Sequence, residues 1–222
     1  MNADRIAIVD YGAGNLTSVL KAFAHVGAEA VLARRPDDLR GAAGIVVPGV
    51  GHFSATAALG IEWREAVRAA LADGRPLLGI CLGMQWLFEG SEEAPAVPGL
   101  GLFPGRSTRL AGPVKVPHIG WNTLALRCAA PIVEGVPEGA SVYFVHAYAV
   151  PIGADTVAVT THGQPFASIV AREHVYGVQF HPEKSGPVGL RMLANFVAIV
   201  RRDPGRAVRP PSGAPGRPGS AP

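Results

Sequence analysis

Cysteine is scarce in this chain, which has 2 cysteines in 222 residues. Two thiols cannot form a disulfide framework, and the absence of a Cys-x-x-Cys pair argues against a structural zinc site. Long hydrophobic runs are missing too, because no apolar stretch approaches the roughly 18 residues of a membrane span. The N-terminus also lacks the basic and apolar segments of a secretory signal. We therefore expect a cytoplasmic protein with no membrane partner.

The chain carries only a small net charge. The formal net charge is +3, and much of it comes from the arginines of the last twenty residues. The rest of the chain shows no cluster of Lys and Arg interleaved with aromatic residues, so we expect no nucleic-acid partner. Pro and Gly fill half of those last twenty positions, a composition typical of disorder. We therefore divide the chain into a folded domain, residues 1–202, and a disordered tail, residues 203–222.

The chain does contain short apolar strands that alternate with amphipathic helices. Hydrophobic residues make up 48% of it, which suits one large α/β domain. In the first part, strands are predicted over residues 5–10, 29–33, 44–47 and 77–80. This alternation predicts a doubly wound α/β fold, with a mainly parallel central sheet flanked by helices. In the second half, an antiparallel β ribbon joined to the sheet is predicted from strands over residues 142–150, 156–161, 166–171 and 175–180.

Cys81 occupies the most informative position. Gly79 and Gly83 flank it, a buried strand precedes it, and a helix is predicted to follow. This is the Gly-x-nucleophile-x-Gly arrangement, with Cys in place of Ser. The start of a helix favours a thiolate, which is the nucleophilic form of cysteine. The alternative is a buried cysteine that packs as a small apolar residue, but the two glycines and the preceding strand favour a nucleophile.

A nucleophilic cysteine needs a base and a group that orients the base. Among seven histidines, His181 stands out because it ends an apolar strand and precedes Pro182. Glu183 lies two residues further on and can point to the same side as His181. A strand end with a surface ion pair is the alternative. Beside the elbow at Cys81, however, the pattern predicts a catalytic set of Cys81, His181 and Glu183.

A nucleotide cofactor and a metal ion are both disfavoured. The segment 12–14 begins like a dinucleotide-binding loop, but Thr17 stands where its third glycine is required. Pairs of histidines can be drawn, yet none has a recognised spacing of metal ligands. We therefore predict no cofactor and no metal.

Together these motifs resemble the class I glutamine amidotransferases. Five segments narrow the resemblance to the glutaminase subunits of imidazole glycerol phosphate synthase, and they are residues 10–15, 48–53, 115–122, 143–148 and 181–185. The similarity spans roughly residues 6–200. It implies hydrolysis of glutamine to glutamate and ammonia through a thioester on Cys81.

The resemblance also implies roles for residues around the thiol. The N–H of Leu82 and a peptide N–H of the loop Gly49, Val50 and Gly51 would form the oxyanion hole. The residues implied to bind substrate are Gln85, Tyr143, Phe144, Val145 and His146. Ala147 departs from the family, which usually has Ser or Thr there, so a hydroxyl contact to glutamine is lost. For Gln85, an ordinary solvated helix residue is the alternative.

A partner follows from the same resemblance. The family couples the glutaminase to a (β/α)8 cyclase subunit as a heterodimer, and ammonia passes through a channel to a phosphoribulosyl formimino acceptor. The products are imidazole glycerol phosphate and aminoimidazole carboxamide ribonucleotide, in histidine biosynthesis. Asn15, Trp121 and Lys184 resemble interface positions; the alternatives are a helix N-cap, a core aromatic and a solvated lysine.

Two other functions stay open at this point. One is an amidotransferase for a different acceptor, such as that of the vitamin B6 or anthranilate pathway, and the segment 115–122 argues against it. The other is a non-catalytic regulatory subunit on the same fold. The intact set of Cys81, His181 and Glu183 argues against that function.

Overall fold

A computed structural model describes residues 4–202, so the predicted tail lies outside the described residues. The helices are α1 (Leu16–His25), α2 (Ile61–Ala72), α3 (Leu82–Trp86) and α4 (Gly186–Arg202). The strands are β1 (Ile6–Val9), β2 (Ala30–Ala33), β3 (Gly44–Val47), β4 (Leu77–Ile80), β5 (Gly90–Ser91), β6 (Arg106–Arg109), β7 (His118–Thr123), β8 (Ala125–Leu126), β9 (Ser141–His146), β10 (Tyr148–Ala149), β11 (Thr156–His162), β12 (Gln164–Arg172) and β13 (Val175–Val178).

A sheet of eight strands forms the centre of the molecule, in the order β2-β1-β3-β4-β13-β12-β11-β8. The first five strands of this order are parallel, and the last three join them antiparallel. The predicted doubly wound sheet with an antiparallel addition is confirmed. The parallel strands end at one edge, and sites in such folds lie at the carboxyl ends of the strands.

Helices cover both faces of this sheet, which explains why its five parallel strands are apolar. On one face, Phe23 of α1 and Phe196 of α4 pack edge to face with their ring centroids 6.4 Å apart. On the other face, Trp63 and Val67 of α2 are buried. Burying each of these large side chains is worth about 1.5–3 kcal/mol. No helix within residues 4–202 is both long enough and apolar enough to span a bilayer.

The single strand predicted over residues 142–150 is wrong, because the chain changes partners at Ala147. Up to His146, β9 pairs with β7 in a separate two-stranded ribbon. From Tyr148, β10 pairs instead with β6. Between them the Ala147 carbonyl accepts a hydrogen bond from the N–H of Leu110 at 2.9 Å. Residues on both sides of the break line the site described below.

Candidate active site

Cys81 lies on a strained turn between β4 and α3. Its backbone has φ 54° and ψ −107°, a conformation that costs a residue with a side chain about 1–3 kcal/mol. A Cβ on Gly83 would overlap the carbonyl oxygen of Val47, and one on Gly79 would lie 2.8 Å from the backbone of Gly83. The two glycines are therefore required by close backbone packing. The turn holds the thiol at the carboxyl edge of the sheet.

Backbone and side-chain polar groups contact the sulfur of Cys81, whose residue is only 4% exposed. The thiol donates to the carbonyl oxygen of Val145, with 3.7 Å between Sγ and O. The side-chain amide nitrogen of Gln179 donates to Sγ at 3.6 Å. Val145 belongs to β9, so the two-stranded ribbon reaches the nucleophile directly.

His181 and Glu183 form a buried pair. Nδ1 of His181 donates to Oε1 of Glu183 at 2.8 Å, and both side chains are 2% exposed. Burial by itself lowers the pKa of His181, but interaction with the charge of Cys81 and the bond to Glu183 raise it well above its usual value. Nε2 of His181 is buried and has no hydrogen bond within the part of the chain described. The arrangement stabilises the protonated form of the His181 ring beside the sulfur.

The glycine loop that follows β3 approaches the elbow. The N–H of Leu82 points at the carbonyl oxygen of Gly49, with 3.4 Å between N and O. Val50 is 39% exposed, and Gly51 has a φ of +98° and lines the pocket beside the sulfur. In this conformation the loop turns a carbonyl toward Leu82, where an oxyanion hole would need an N–H.

A pocket opens beside the sulfur. Its walls are Gly51, Cys81, Leu82, Gln85, Glu93, Val145, His146, Ala147 and Tyr148. The structure thus brings Val145 and His146 of the predicted substrate segment to the pocket. It places Phe144 in the core, stacked on His118 at 4.8 Å between ring centroids. The ring of Tyr143 packs on Trp121 instead. No group of three or more potential metal ligands occurs among residues 4–202.

Gln85 is 4% exposed and is therefore not a solvated helix residue. Its Nε2 donates to the carbonyl oxygen of Tyr148 at 2.8 Å and to Oε1 of Gln179 at 3.1 Å. Both amide hydrogens are thus used inside the protein. What Gln85 can offer a ligand is its acceptor, Oε1.

Glu93 is a pocket residue that the sequence did not reveal. It lies in the loop after β5, and its Oε2 accepts from the N–H of Phe53 at 2.7 Å. Its neighbour Glu92 is exposed, so the sequence around it looks like an ordinary solvated loop. The two partners of this hydrogen bond are 40 positions apart, and no local pattern indicates the contact. Glu93 gives the pocket beside the thiol a carboxylate.

An apolar patch lies on the two-stranded ribbon. Opposite residues of β7 and β9 share a face, and the pairs are Ile119 with Val145 and Trp121 with Tyr143. We call these four residues the ribbon patch. Ile119 is 61% exposed and Trp121 59% exposed, so Trp121 is not a core aromatic. Exposed apolar residues that are contiguous often mark a protein–protein interface.

The other two predicted interface residues are also exposed, namely Asn15 and Lys184. The side chain of Asn15 accepts from the N–H of Ser18 at 3.3 Å and caps α1. This capping role explains Asn15 without a partner. Lys184 follows Glu183 in the short turn after His181.

The sequence matches a known protein family and several of its members. A model of the class-I glutamine amidotransferase family matches residues 7–200. Imidazole glycerol phosphate synthase subunit HisH of Natronomonas pharaonis is 50% identical over 201 residues, covering 86% of this chain and 93% of that protein. HisH of Thermococcus kodakarensis is 50% identical over 197 residues, covering 86% and 98%.

Solved structures share the fold at lower sequence identity. PurLQS from Thermotoga maritima matches with a TM-score of 0.70 and 19% identity, covering 88% of this chain and 98% of its own. A crystal structure described as a glutamine amidotransferase matches with a TM-score of 0.68 and 22% identity, covering 86% and 98%. At these identities the likeness concerns the fold alone.

Proposed function

Because this chain belongs to the class-I glutamine amidotransferase family, we propose that Cys81, His181 and Glu183 carry out its glutaminase reaction. The chain is the glutamine amidotransferase subunit of imidazole glycerol phosphate synthase and acts in histidine biosynthesis. One observation above all supports the catalytic assignment. The buried His181–Glu183 pair interacts with a cysteine held on a strained elbow.

In the first half of the reaction, the Cys81 thiolate attacks the carboxamide carbon of glutamine. His181 holds the proton taken from the thiol and donates it from Nε2 to the departing nitrogen, which leaves as ammonia. A carbon–sulfur bond has formed and a carbon–nitrogen bond has broken. The bond to Glu183 keeps the ring oriented and stabilises its positive charge.

In the second half, water attacks the thioester carbon. His181, now neutral, accepts a proton from this water, and the carbon–sulfur bond breaks to release glutamate and restore the thiolate. Each tetrahedral intermediate carries a negative oxygen that needs N–H donors. Loss of one such donor costs about 2.7–4 kcal/mol.

The oxyanion hole needs the loop to turn. Leu82 supplies one N–H, but the carbonyl of Gly49 faces it in this structure. Rotation of the peptide between Gly49 and Val50 would replace this carbonyl by the N–H of Val50. Glycines at both ends of Val50 make such a rotation inexpensive. We therefore infer that the loop conformation with the Gly49 carbonyl facing Leu82 is the resting one.

For substrate binding, we assign the α-ammonium group of glutamine to Glu93, with Oε1 of Gln85 as a further acceptor. Glu93 is held by the N–H of Phe53 at the pocket wall. An ammonium and a carboxylate form a charge-assisted hydrogen bond, which is among the stronger neutral-pH contacts. With Ala147 in the wall, backbone groups there replace the hydroxyl that relatives of this family usually present.

Glu93→Gln should raise the KM for glutamine about tenfold, because it removes the charge from a contact worth roughly 1.4 kcal/mol. The kcat should change little, since Glu93 does not touch the reacting atoms. Steady-state glutaminase kinetics of the assembled enzyme measure both constants. Glu92→Gln is the matched control, as Glu92 is exposed one position away. A fall in kcat at unchanged KM would contradict the assignment.

For the partner, we propose a cyclase subunit with a (β/α)8 barrel that binds the ribbon patch and receives ammonia through a channel, as a heterodimer in the cytoplasm. Ile119, Trp121 and Val145 of the ribbon patch are exposed, and Val145 contacts the thiol through its carbonyl. A partner seated there would therefore shield ammonia from water, which would otherwise protonate it.

Reconstitution tests this function. The purified chain is mixed with the cyclase subunit and with the phosphoribulosyl formimino acceptor, and glutamate and imidazole glycerol phosphate are measured. We expect equal amounts of the two products from glutamine, and far slower glutamate release from the chain alone. Glutamate release without imidazole glycerol phosphate would indicate a different acceptor. No glutamate under any condition would indicate a regulatory subunit.

A further inference from the structure

We propose that Gln179 acts directly on the nucleophile: its amide N–H holds the sulfur of Cys81 as a thiolate, and its amide oxygen fixes Gln85 in the pocket wall. This inference rests on the proposed glutaminase function and adds a residue to its machinery. Gln179 is fully buried. It lies two residues before His181, where β13 has just ended.

The strand end presents Gln179 and His181 together. In extended chain, residues two apart point to the same side, and the N–H of Gln179 still bonds the carbonyl of Ser168 on β12 at 2.9 Å. Both side chains therefore approach Cys81 from the segment that directly follows β13. His181 supplies the base, and Gln179 supplies a neutral donor 3.6 Å from Sγ.

The orientation of the Gln179 amide follows from a fixed acceptor. The carbonyl of Tyr148 can only accept, so Gln85 must present its NH2 group to it, at 2.8 Å. The second hydrogen of that NH2 then requires an oxygen from Gln179, at 3.1 Å. This leaves the NH2 group of Gln179 facing the sulfur. The carbonyl of Tyr148 thus fixes the orientation of the side-chain amides of Gln85 and Gln179. As a result, the NH2 group of Gln179 donates to Cys81.

The same carbonyl of Tyr148 also receives Nδ1 of His146 at 2.9 Å. This oxygen thus accepts from both Gln85 and His146, and the two hydrogen bonds hold it in place. A donor aimed at sulfur stabilises the thiolate over the thiol, because hydrogen bonding to the charged form favours that form. The hydrogen bonds from Gln85 to Gln179 and from Gln179 to Cys81 therefore couple the pocket wall to the reactivity of the nucleophile.

Other titratable groups lie near Cys81. The titratable side chains that interact with it or with its pocket are Tyr11, Glu93, His146, His181 and Glu183. None of them is altered in the variants below, so a change in the titration of the thiol can be assigned to the amides.

The test is the pH dependence of Cys81 alkylation by iodoacetamide, since only the thiolate reacts. A Cys128→Ser background is needed because Cys128 is a second free and exposed thiol. In that background, Gln179→Met should raise the midpoint of alkylation by about one pH unit, the equivalent of one charge-assisted hydrogen bond. Gln85→Met should raise it by less, because it only releases the oxygen of Gln179.

Ser168→Ala is the matched control, because Ser168 is buried, its backbone carbonyl accepts from the N–H of Gln179, and its hydroxyl has no hydrogen bond within the described chain. It should leave the midpoint unchanged. An unchanged midpoint in both glutamine variants, with or without a lower Tm, would mean that the amides only fill space and would overturn the proposal. If Gln179→Met fails to fold, Gln85→Met alone decides. Alkylation needs neither glutamine nor partner, so failure of the glutaminase assignment would show separately in reconstitution.

Discussion

Cys81→Ala should abolish glutamine-dependent synthesis while leaving ammonia-dependent synthesis by the assembled enzyme intact. Without the sulfur no thioester can form, and loss of a catalytic nucleophile typically lowers kcat by on the order of 10⁴- to 10⁶-fold. Added ammonia bypasses this step, because the partner carries out the synthesis. The measurement is the rate of imidazole glycerol phosphate formation with glutamine and, separately, with an ammonium salt at high pH.

The chain provides a matched control for this experiment. Cys128 is the other free cysteine; it is exposed, and its Sγ makes a long contact with the carbonyl of Thr156 at 3.9 Å. Cys128→Ala should therefore keep both rates. Glutamate release from Cys81→Ala at the rate of the unaltered protein would refute the assignment of the nucleophile. Loss of the ammonia-dependent rate would show instead that the substitution disturbs the complex.

The elbow could be predicted from sequence because its requirements are local. Gly79 and Gly83 lie within two residues of Cys81, and the close packing of their backbones excludes a side chain. The alternation of strands and helices is local in the same sense, and it predicted the parallel sheet. The catalytic roles of Cys81, His181 and Glu183 stay predictions, although the structure brings the three together.

What the sequence could not show depends on contacts between distant segments. Glu93 is held at the pocket by a hydrogen bond from the N–H of Phe53. The role proposed for Gln179 depends on its contact with Cys81, which lies 98 positions away. The break at Ala147 has the same origin. Residues 142–150 have strand propensity throughout, but β9 and β10 pair with different strands. Propensity predicts an extended chain and does not determine its partner.

The second large effect is expected at the ribbon patch. Trp121→Ala should weaken binding of the cyclase subunit by roughly 30-fold in Kd, since an exposed tryptophan at the centre of an interface commonly contributes 2 kcal/mol or more. Trp121 is 59% exposed and packs edge to face on Tyr143 with ring centroids 5.9 Å apart. The ring is thus held in place before a partner arrives, which lowers the entropy lost on binding.

Titration calorimetry of the two subunits measures this Kd. Ile61→Ala is the matched control, because Ile61 is 71% exposed but lies on α2, outside the ribbon patch. It should leave the affinity unchanged. Equal weakening by both substitutions, or by neither, would place the partner on another surface.

The same variant separates affinity from activation. Val145 lies in the ribbon patch, and its carbonyl contacts the sulfur at 3.7 Å. A partner that touches Val145 would therefore be separated from Cys81 by this one residue. At concentrations of cyclase that saturate the variant, glutamine hydrolysis should recover if Trp121 only supplies affinity. A glutaminase rate that stays low at saturation, with ammonia-dependent synthesis unchanged, would mean that Trp121 also moves the ribbon. In that case, the ribbon rather than the glycine loop alone would carry the signal from partner to thiol.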